Sequence, residues 1–230
     1  MKKLAKISQF IFGMTTALCI VIPTAAQAQD APVVVELFTS KYCPACPAAD
    51  KVFNSLEQQN PNIIGLSCHV TYFDRGSRKD LYSQVFCDAR QNIYKMSVRT
   101  GGIYTPMAII NGNKLVDARD KQAISRALRS RNQPVGLGYN GEYLDIELPK
   151  VDITKDADVW LLTIEKSGKL SDKPTSYHRY RNSVTDMQKL LRWDGKRMSM
   201  AYPVERDANT RHAILVQTYK GGIIAAGQTP

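Results

Sequence analysis

Two regimes of hydrophobic patterning divide the chain. Up to about Arg129, near-continuous apolar runs alternate with segments of helical spacing; beyond residue 137, apolar positions recur every second residue. In the first regime, Val33 to Phe38 predicts a buried strand. Cys43 or Pro44 to about Gln59 predicts a helix, with Val52, Phe53 and Leu56 at helical spacing and Asn60-Pro61-Asn62 as its stop. Ile63 to Tyr72 predicts a second strand, apolar enough at its start to be covered on both faces as a parallel strand is. Arg75 to Lys79 is a loop, and Asp80 to Lys95 predicts a helix that Asp80 would cap. Asn111-Gly112 between two apolar runs predicts a hairpin joining Met107–Ile110 to Lys114–Asp117. An amphipathic helix over Asp120 to Arg129, carrying Ala123, Ile124, Ala127 and Leu128, follows it.

Residues 130–136 read as a linker. After it, Leu144, Ile146 and Leu148, then Trp160, Leu162 and Ile164, then Met198, Met200 and Tyr202 alternate with other positions. Turn signals stand at Trp193-Asp194-Gly195-Lys196 and at Lys220-Gly221-Gly222, where segments His212–Tyr219 and Ile223–Ala226 meet. Short strands with turns at this spacing predict a small antiparallel sandwich. Tyr177-His178-Arg179-Tyr180-Arg181 mixes aromatic and cationic residues and reads as a solvated strand face.

The N-terminus changes the picture of where the protein works. Lys2, Lys3 and Lys6 precede an apolar run from Phe10 to Ile22, and Ala26-Gln27-Ala28 has the form of a cleavage site. Residues 1–28 are expected to be a signal peptide, with Cys19 lost along with it and no membrane span in the mature chain. The mature chain would carry 28 Lys and Arg against 21 Asp and Glu. An exported chain, periplasmic or secreted, works where disulfides persist. A basic surface there implies no nucleic-acid partner.

Four cysteines remain, Cys43, Cys46, Cys68 and Cys87, and they carry the candidate chemistry. Cys43-Pro44-Ala45-Cys46 follows a strand and opens a helix. A helix N-terminus bears partial positive charge and lowers a thiol's pKa, so Cys43 is placed to attack a disulfide. Cys46 lies one turn on and is placed to resolve the mixed disulfide. Cys68 and Cys87 would then pair as a structural bridge between strand and helix. Two buried free thiols, or a second redox pair exchanging electrons with the first, are the other readings.

His69 ends the second strand on the sheet edge where Cys43 lies. It is a candidate acid/base group or, with Cys43 and Cys46, a candidate metal ligand, against the plainer reading of a hydrogen-bonded loop histidine. C-x-x-C alone is half of a zinc site; the second half is missing.

Cys43-Pro44-Ala45-Cys46 at a helix start, Thr105-Pro106 entering a strand of the Asn-Gly hairpin, and a last helix resemble the thioredoxin order. That resemblance implies that Pro106 is a cis-proline, that Thr105 pairs its backbone with a bound peptide, and that Glu36 corresponds to a buried strand acid, one residue further from the cysteine. Val35-Glu36-Leu37-Phe38-Thr39-Ser40, Cys43 to Asp50, His69-Val70-Thr71-Tyr72-Phe73-Asp74 and Ile103-Tyr104-Thr105-Pro106 together resemble a narrower group, the secreted thioredoxin-like family catalogued as domain of unknown function 1223. Arg192-Trp193-Asp194-Gly195 and Ala213 to Gln217 are similar to that family's second half. A Gly-Glu-Asn segment expected around residues 174–183 is missing.

The expected architecture is therefore an α/β thioredoxin-like domain over residues 29–131, followed by a small all-β, antiparallel sandwich-like domain over 137–230. The expected function is an exported thiol–disulfide oxidoreductase that meets a protein thiol or disulfide substrate, or a redox partner. A copper- or metal-handling module and a non-catalytic binding module are the alternatives. Hydrolase, P-loop and Rossmann motifs are absent, so no nucleotide cofactor is expected, and none of any other kind.

Overall fold

β1, Val33–Thr39, is buried along its whole length and stands inside a sheet that runs through both halves of the chain. The computed structural model describes residues 31–168 and 180–230; the expected signal peptide and Tyr177-His178-Arg179 lie outside them. α1, Cys46–Gln59, turns Ala49, Phe53 and Leu56 inward at i, i+4 and i+7. It ends where Asn60 Nδ2 donates to Leu56 O at 2.7 Å, ahead of Pro61. β2, Ile63–His69, returns parallel to β1.

α2, Val85–Tyr94, turns in Cys87, Arg90, Gln91 and Tyr94. A π-helical turn, Lys95–Arg99, extends it. β3, Met107–Ile110, and β4, Lys114–Val116, form the expected Asn-Gly hairpin. α3, Lys121–Ala127, begins at Asp120, whose side chain accepts the Ala123 N–H at 2.9 Å.

The second half is strand throughout the described residues: β5, Gln133–Pro134; β6, Gly136–Asn140; β7, Tyr143–Leu148; β8, Ala157–Ser167; β9, Arg181–Trp193; β10, Met198–Pro203; β11, Thr210–Gln217; β12, Ile223–Gln228. Nine strands form one sheet in the order β4-β3-β1-β2-β9-β8-β11-β12-β5, and β10-β7-β6 forms a second. β9 joins β2 in parallel at Ser67 and Ser183.

This corrects the expected fold class. Among the described residues the protein is mostly strand, with three α-helices beside a mixed nine-stranded sheet, rather than an α/β thioredoxin-like domain with a separate small sandwich after it. The physical reason is the open side of β2. An unpaired edge there would leave a row of backbone N–H and C=O groups without partners, and β9 covers it. The period-two residues of the second half serve two layers. Leu144, Ile146 and Leu148 of the small sheet pack on Val159, Leu161, Ile214 and Val216, while Leu162, Ile164 and Leu215 pack with Val34, Ile64 and Leu66. Each fully buried Leu or Ile contributes about 1.5–3 kcal/mol, so the shared layer binds the halves to each other.

Two turns lock this arrangement. Asn111 O accepts the Ile223 N–H at 2.9 Å, so the β3–β4 turn rests on the β11–β12 turn. Gly112 and Gly221 both have positive φ, and a β-carbon on Gly112 would stand 1.9 Å from Gly221 O. Only glycine permits that approach.

Candidate functional site around Cys43 and Cys46

The two cysteines straddle the start of α1. Cys43 lies in the preceding turn, its N–H donating to Ser40 O at 3.1 Å, and Cys46 is the first helical residue. The helix thus begins three residues later than the patterning predicted at its earliest. Pro47, not Pro44, occupies its first turn, where a missing N–H costs nothing. Cys43 and Cys46 form a disulfide with Cα atoms 5.4 Å apart. Cys43 is 3% exposed and Cys46 0%, while Pro44 and Ala45 between them are open to solvent. Both cysteines stand at the N-terminal end of α1, the positive end of the helix dipole.

Beside the pair, the Thr105–Pro106 peptide is cis where the chain enters β3. A cleft of about 470 Å³ runs from Ala45 past Tyr104, Thr105 and Pro106 to Leu115, Asp117 and Arg119 near β4. Gln91, fully buried in α2, donates Nε2 to Tyr104 O at 2.7 Å and so fixes the approach to Thr105. Ile103 and Tyr104 are exposed beside the cleft.

Where β1 and β2 end lies a buried polar cluster. His69 stands opposite Thr39 in the parallel β1–β2 register. Its Nδ1 is 2.8 Å from Asp80 Oδ2, and its Nε2 is buried with no partner among the described residues. Asp80 Oδ2 also accepts the Lys41 N–H at 2.7 Å, and Oδ1 the Tyr82 N–H at 3.1 Å. Burial pushes the Asp80 carboxyl up, but the hydrogen bond and charge of His69, with the two N–H groups, outweigh it and hold the pKa below its ordinary value. Thr39 Oγ1 donates to Asp50 Oδ1 at 3.0 Å, and Asp50 is one turn beyond Cys46 on α1.

The rings of Tyr82 and Tyr180 pack on His69 with centroids 5.4 and 4.6 Å away. Burial pushes the Tyr180 phenol up, and the nearby Asp50, Asp80 and Tyr42 add to that.

Other residues singled out from sequence fall elsewhere. Alternation along β1 sends Glu36, like Phe38, to the α2 face of the sheet, whereas Val35 and Leu37 face α1. There Glu36 is bound by Arg90 and by the Tyr94 hydroxyl, so its partners are structural. Cys68 and Cys87 form a buried disulfide between β2 and α2. Among the described residues, no three His, Cys, Asp or Glu side chains form a group able to hold a metal ion, and Cys43, Cys46 and His69 are not assembled as one. No helix among the described residues is long and apolar enough to cross a membrane.

Three site residues escaped the sequence reading. Asp80 was expected to cap a helix, but α2 starts at Val85 and Asp80 holds His69 instead. Asp50 gave a signal, an acid four residues after Cys46 on an otherwise inward-facing stripe, that went unused. Tyr180 was expected on a solvated face; it is buried against His69.

An Agrobacterium tumefaciens protein of known crystal structure is similar to this chain at 29% identity, covering 87% of this chain and 95% of its own, with a TM-score of 0.74. HBP35 of Porphyromonas gingivalis is 13% identical, covers 86% of this chain and 74% of its own, and has a TM-score of 0.58, a likeness of fold alone. No curated protein is significantly similar. The model of the protein family of unknown function DUF1223 matches residues 34–217. That match covers most of the chain, including the paired cysteines at the start of α1, and the chain belongs to the DUF1223 family.

Proposed function

We propose that the protein is an exported thiol–disulfide oxidoreductase. Cys43 attacks or is attacked, Cys46 resolves, and the cleft beside Thr105 and Pro106 takes an extended stretch of a protein substrate or redox partner. The observation that carries this reading is the bonded Cys43–Cys46 pair at the positive end of α1, with Cys43 the less buried of the two and the cleft alongside. Export is supported by the second disulfide, Cys68–Cys87, which suits an oxidising compartment. A closed structural bridge with no catalytic role is the second reading, and the low exposure of Cys43 favours it.

Trapping separates the two. In reduced Cys46→Ser protein, oxidised glutathione should leave a stable adduct on Cys43, readable by mass spectrometry, whereas the wild type should resolve it and release glutathione. A Cys43 that takes up no adduct in the variant would leave the closed bridge as the account.

A further inference from the structure

The loop that carries the cysteines leaves β1 between two neighbours. In the sheet order β3-β1-β2, Phe38 pairs with Met107 at the start of β3, and Thr39 with His69 at the end of β2. The Thr105–Pro106 cleft therefore flanks the cysteine loop on one side, and the segment after β2 flanks it on the other. Charge on the cleft side cancels, since Arg119 pairs with Asp117 at 3.3 Å. The second flank carries charge of one sign.

Arg75, Arg78 and Lys79 are exposed there, and Lys41, two residues before Cys43, is half-buried. Tyr42, the residue before Cys43, gathers them. The Arg78 guanidinium lies over its ring at 4.3 Å and the Lys41 ammonium at 5.8 Å, and its hydroxyl donates to Lys79 O at 3.3 Å. The Arg75 N–H donates to Arg78 O at 3.0 Å and the Arg78 N–H to Arg75 O at 2.8 Å, which closes the turn. Arg75 Nη1 donates to the main-chain carbonyls of Tyr72 and Asp74. The carboxylates of this segment do not answer the charge. Asp74 accepts the Asp80 N–H and the Ser83 hydroxyl, and Asp80 is buried against His69. Among the described residues, Lys41, Arg75, Arg78 and Lys79 form no ion pair.

Like charges gathered without counterions cost stability through mutual repulsion, and at the mouth of a site they raise the local concentration of the opposite charge. The stacking of Arg78 on Tyr42 and the closed turn hold the guanidinium in place, so less freedom is lost when a carboxylate meets its donors. We infer that the Arg75–Lys79 turn, with Lys41 and Tyr42, is a docking surface for an acidic stretch of the protein partner whose cysteine Cys43 meets. The inference rests on the oxidoreductase reading. The cleft beside Thr105 and Pro106 takes one flank of the partner's cysteine, and the basic turn takes the other. Arg78 stands one residue and one ring contact from Cys43, so Asp or Glu within about four residues of the partner's cysteine is in reach along an extended chain.

The test uses three synthetic peptides, each with one cysteine activated as a pyridyl disulfide and flanked by Asp, by Ser or by Lys. Attack by Cys43 of reduced Cys46→Ser protein forms the Cys43–peptide disulfide and releases one pyridinethione, whose absorbance gives the rate. At low ionic strength the Asp peptide should react about tenfold faster than the Lys peptide, with the Ser peptide between them, and added salt should shrink that ratio. Arg78→Glu combined with Lys79→Glu should invert the order, while Lys150→Glu, at an exposed position of the second half, should leave it. A mere effect of the cations on the Cys43 thiolate would move all three rates together and leave their ratio untouched. Equal rates for the three peptides, or an order that survives reversal of the turn, overturns the inference while the oxidoreductase reading stands. Equal rates together with binding to phosphatidylglycerol vesicles would give the turn to a membrane surface instead. A Cys43 that reacts with none of the peptides overturns the oxidoreductase reading and the inference with it.

Discussion

Arg90 Nη1 donates to Gln217 Oε1 at 2.9 Å, joining positions 127 residues apart in the chain. The same guanidinium holds Glu36, and Gln217 Nε2 donates to the Tyr94 hydroxyl at 3.0 Å and to Gly221 O at 2.6 Å. A buried carboxylate of the first half is thus satisfied by a network that the second half completes. Removing one partner of a buried ion pair leaves an uncompensated charge and costs about 3–5 kcal/mol. Arg90→Met should therefore destabilise the whole protein by about that amount. Both tryptophans, Trp160 and Trp193, lie in the second half, and among the described residues all three α-helices lie in the first. Fluorescence and helical circular dichroism should then report one coincident urea transition in the wild type. Two separated transitions would show that the halves unfold independently.

Gly112 gives a sharper steric prediction. Its φ of +66° and the 1.9 Å approach of Gly221 O leave no room for a β-carbon. Gly112→Ala should cost at least about 2 kcal/mol in chemical denaturation, since strained φ and a backbone clash add. Gly138, with nothing near its would-be β-carbon, is the control, and Gly138→Ala should change stability by less than about 1 kcal/mol. Equal effects at the two positions would contradict the docking of the turns.

His212 supplies a pH prediction. It is buried, with Nδ1 2.9 Å from the Tyr139 hydroxyl, and burial holds its pKa below the ordinary value. The unfolded chain therefore binds a proton more readily than the folded one. The stability tied to this group is complete above the unfolded value of about 6.5 and is lost as the pH falls toward the lower folded value. Urea midpoints should decline from about pH 7 to about pH 5, and His212→Gln should flatten that decline. A midpoint that rises on acidification in the wild type would reverse the sign and refute the reading.

Local chemistry was legible in the sequence wherever a short motif forces it. Asn111-Gly112 gave the hairpin, and the spacing of Cys68 and Cys87 admitted the strand-to-helix bridge. What failed was pairing between distant segments. Alternation at Trp160, Leu162 and Ile164 says that a strand has two faces; it does not say which sheet the strand joins. The Ser67–Ser183 contact that merges the halves leaves no mark on either segment alone. Asp80 read as a helix cap because an acid before an apolar-spaced run has that form. The extended Gln84 delays α2 by a turn and frees Asp80 for His69. Tyr180 was hidden by its cationic neighbours, although one aromatic of such a run can turn inward while the charges stay in water.

The reduction potential of the Cys43–Cys46 pair tests the account most directly. Mature protein would be equilibrated in glutathione buffers and the open and closed forms counted by thiol alkylation, with Cys68–Cys87 expected to stay closed throughout. A working exchange site should titrate between about −270 and about −120 mV. A Cys43–Cys46 bond that stays closed below about −300 mV would contradict the oxidoreductase reading and make the pair a structural bridge.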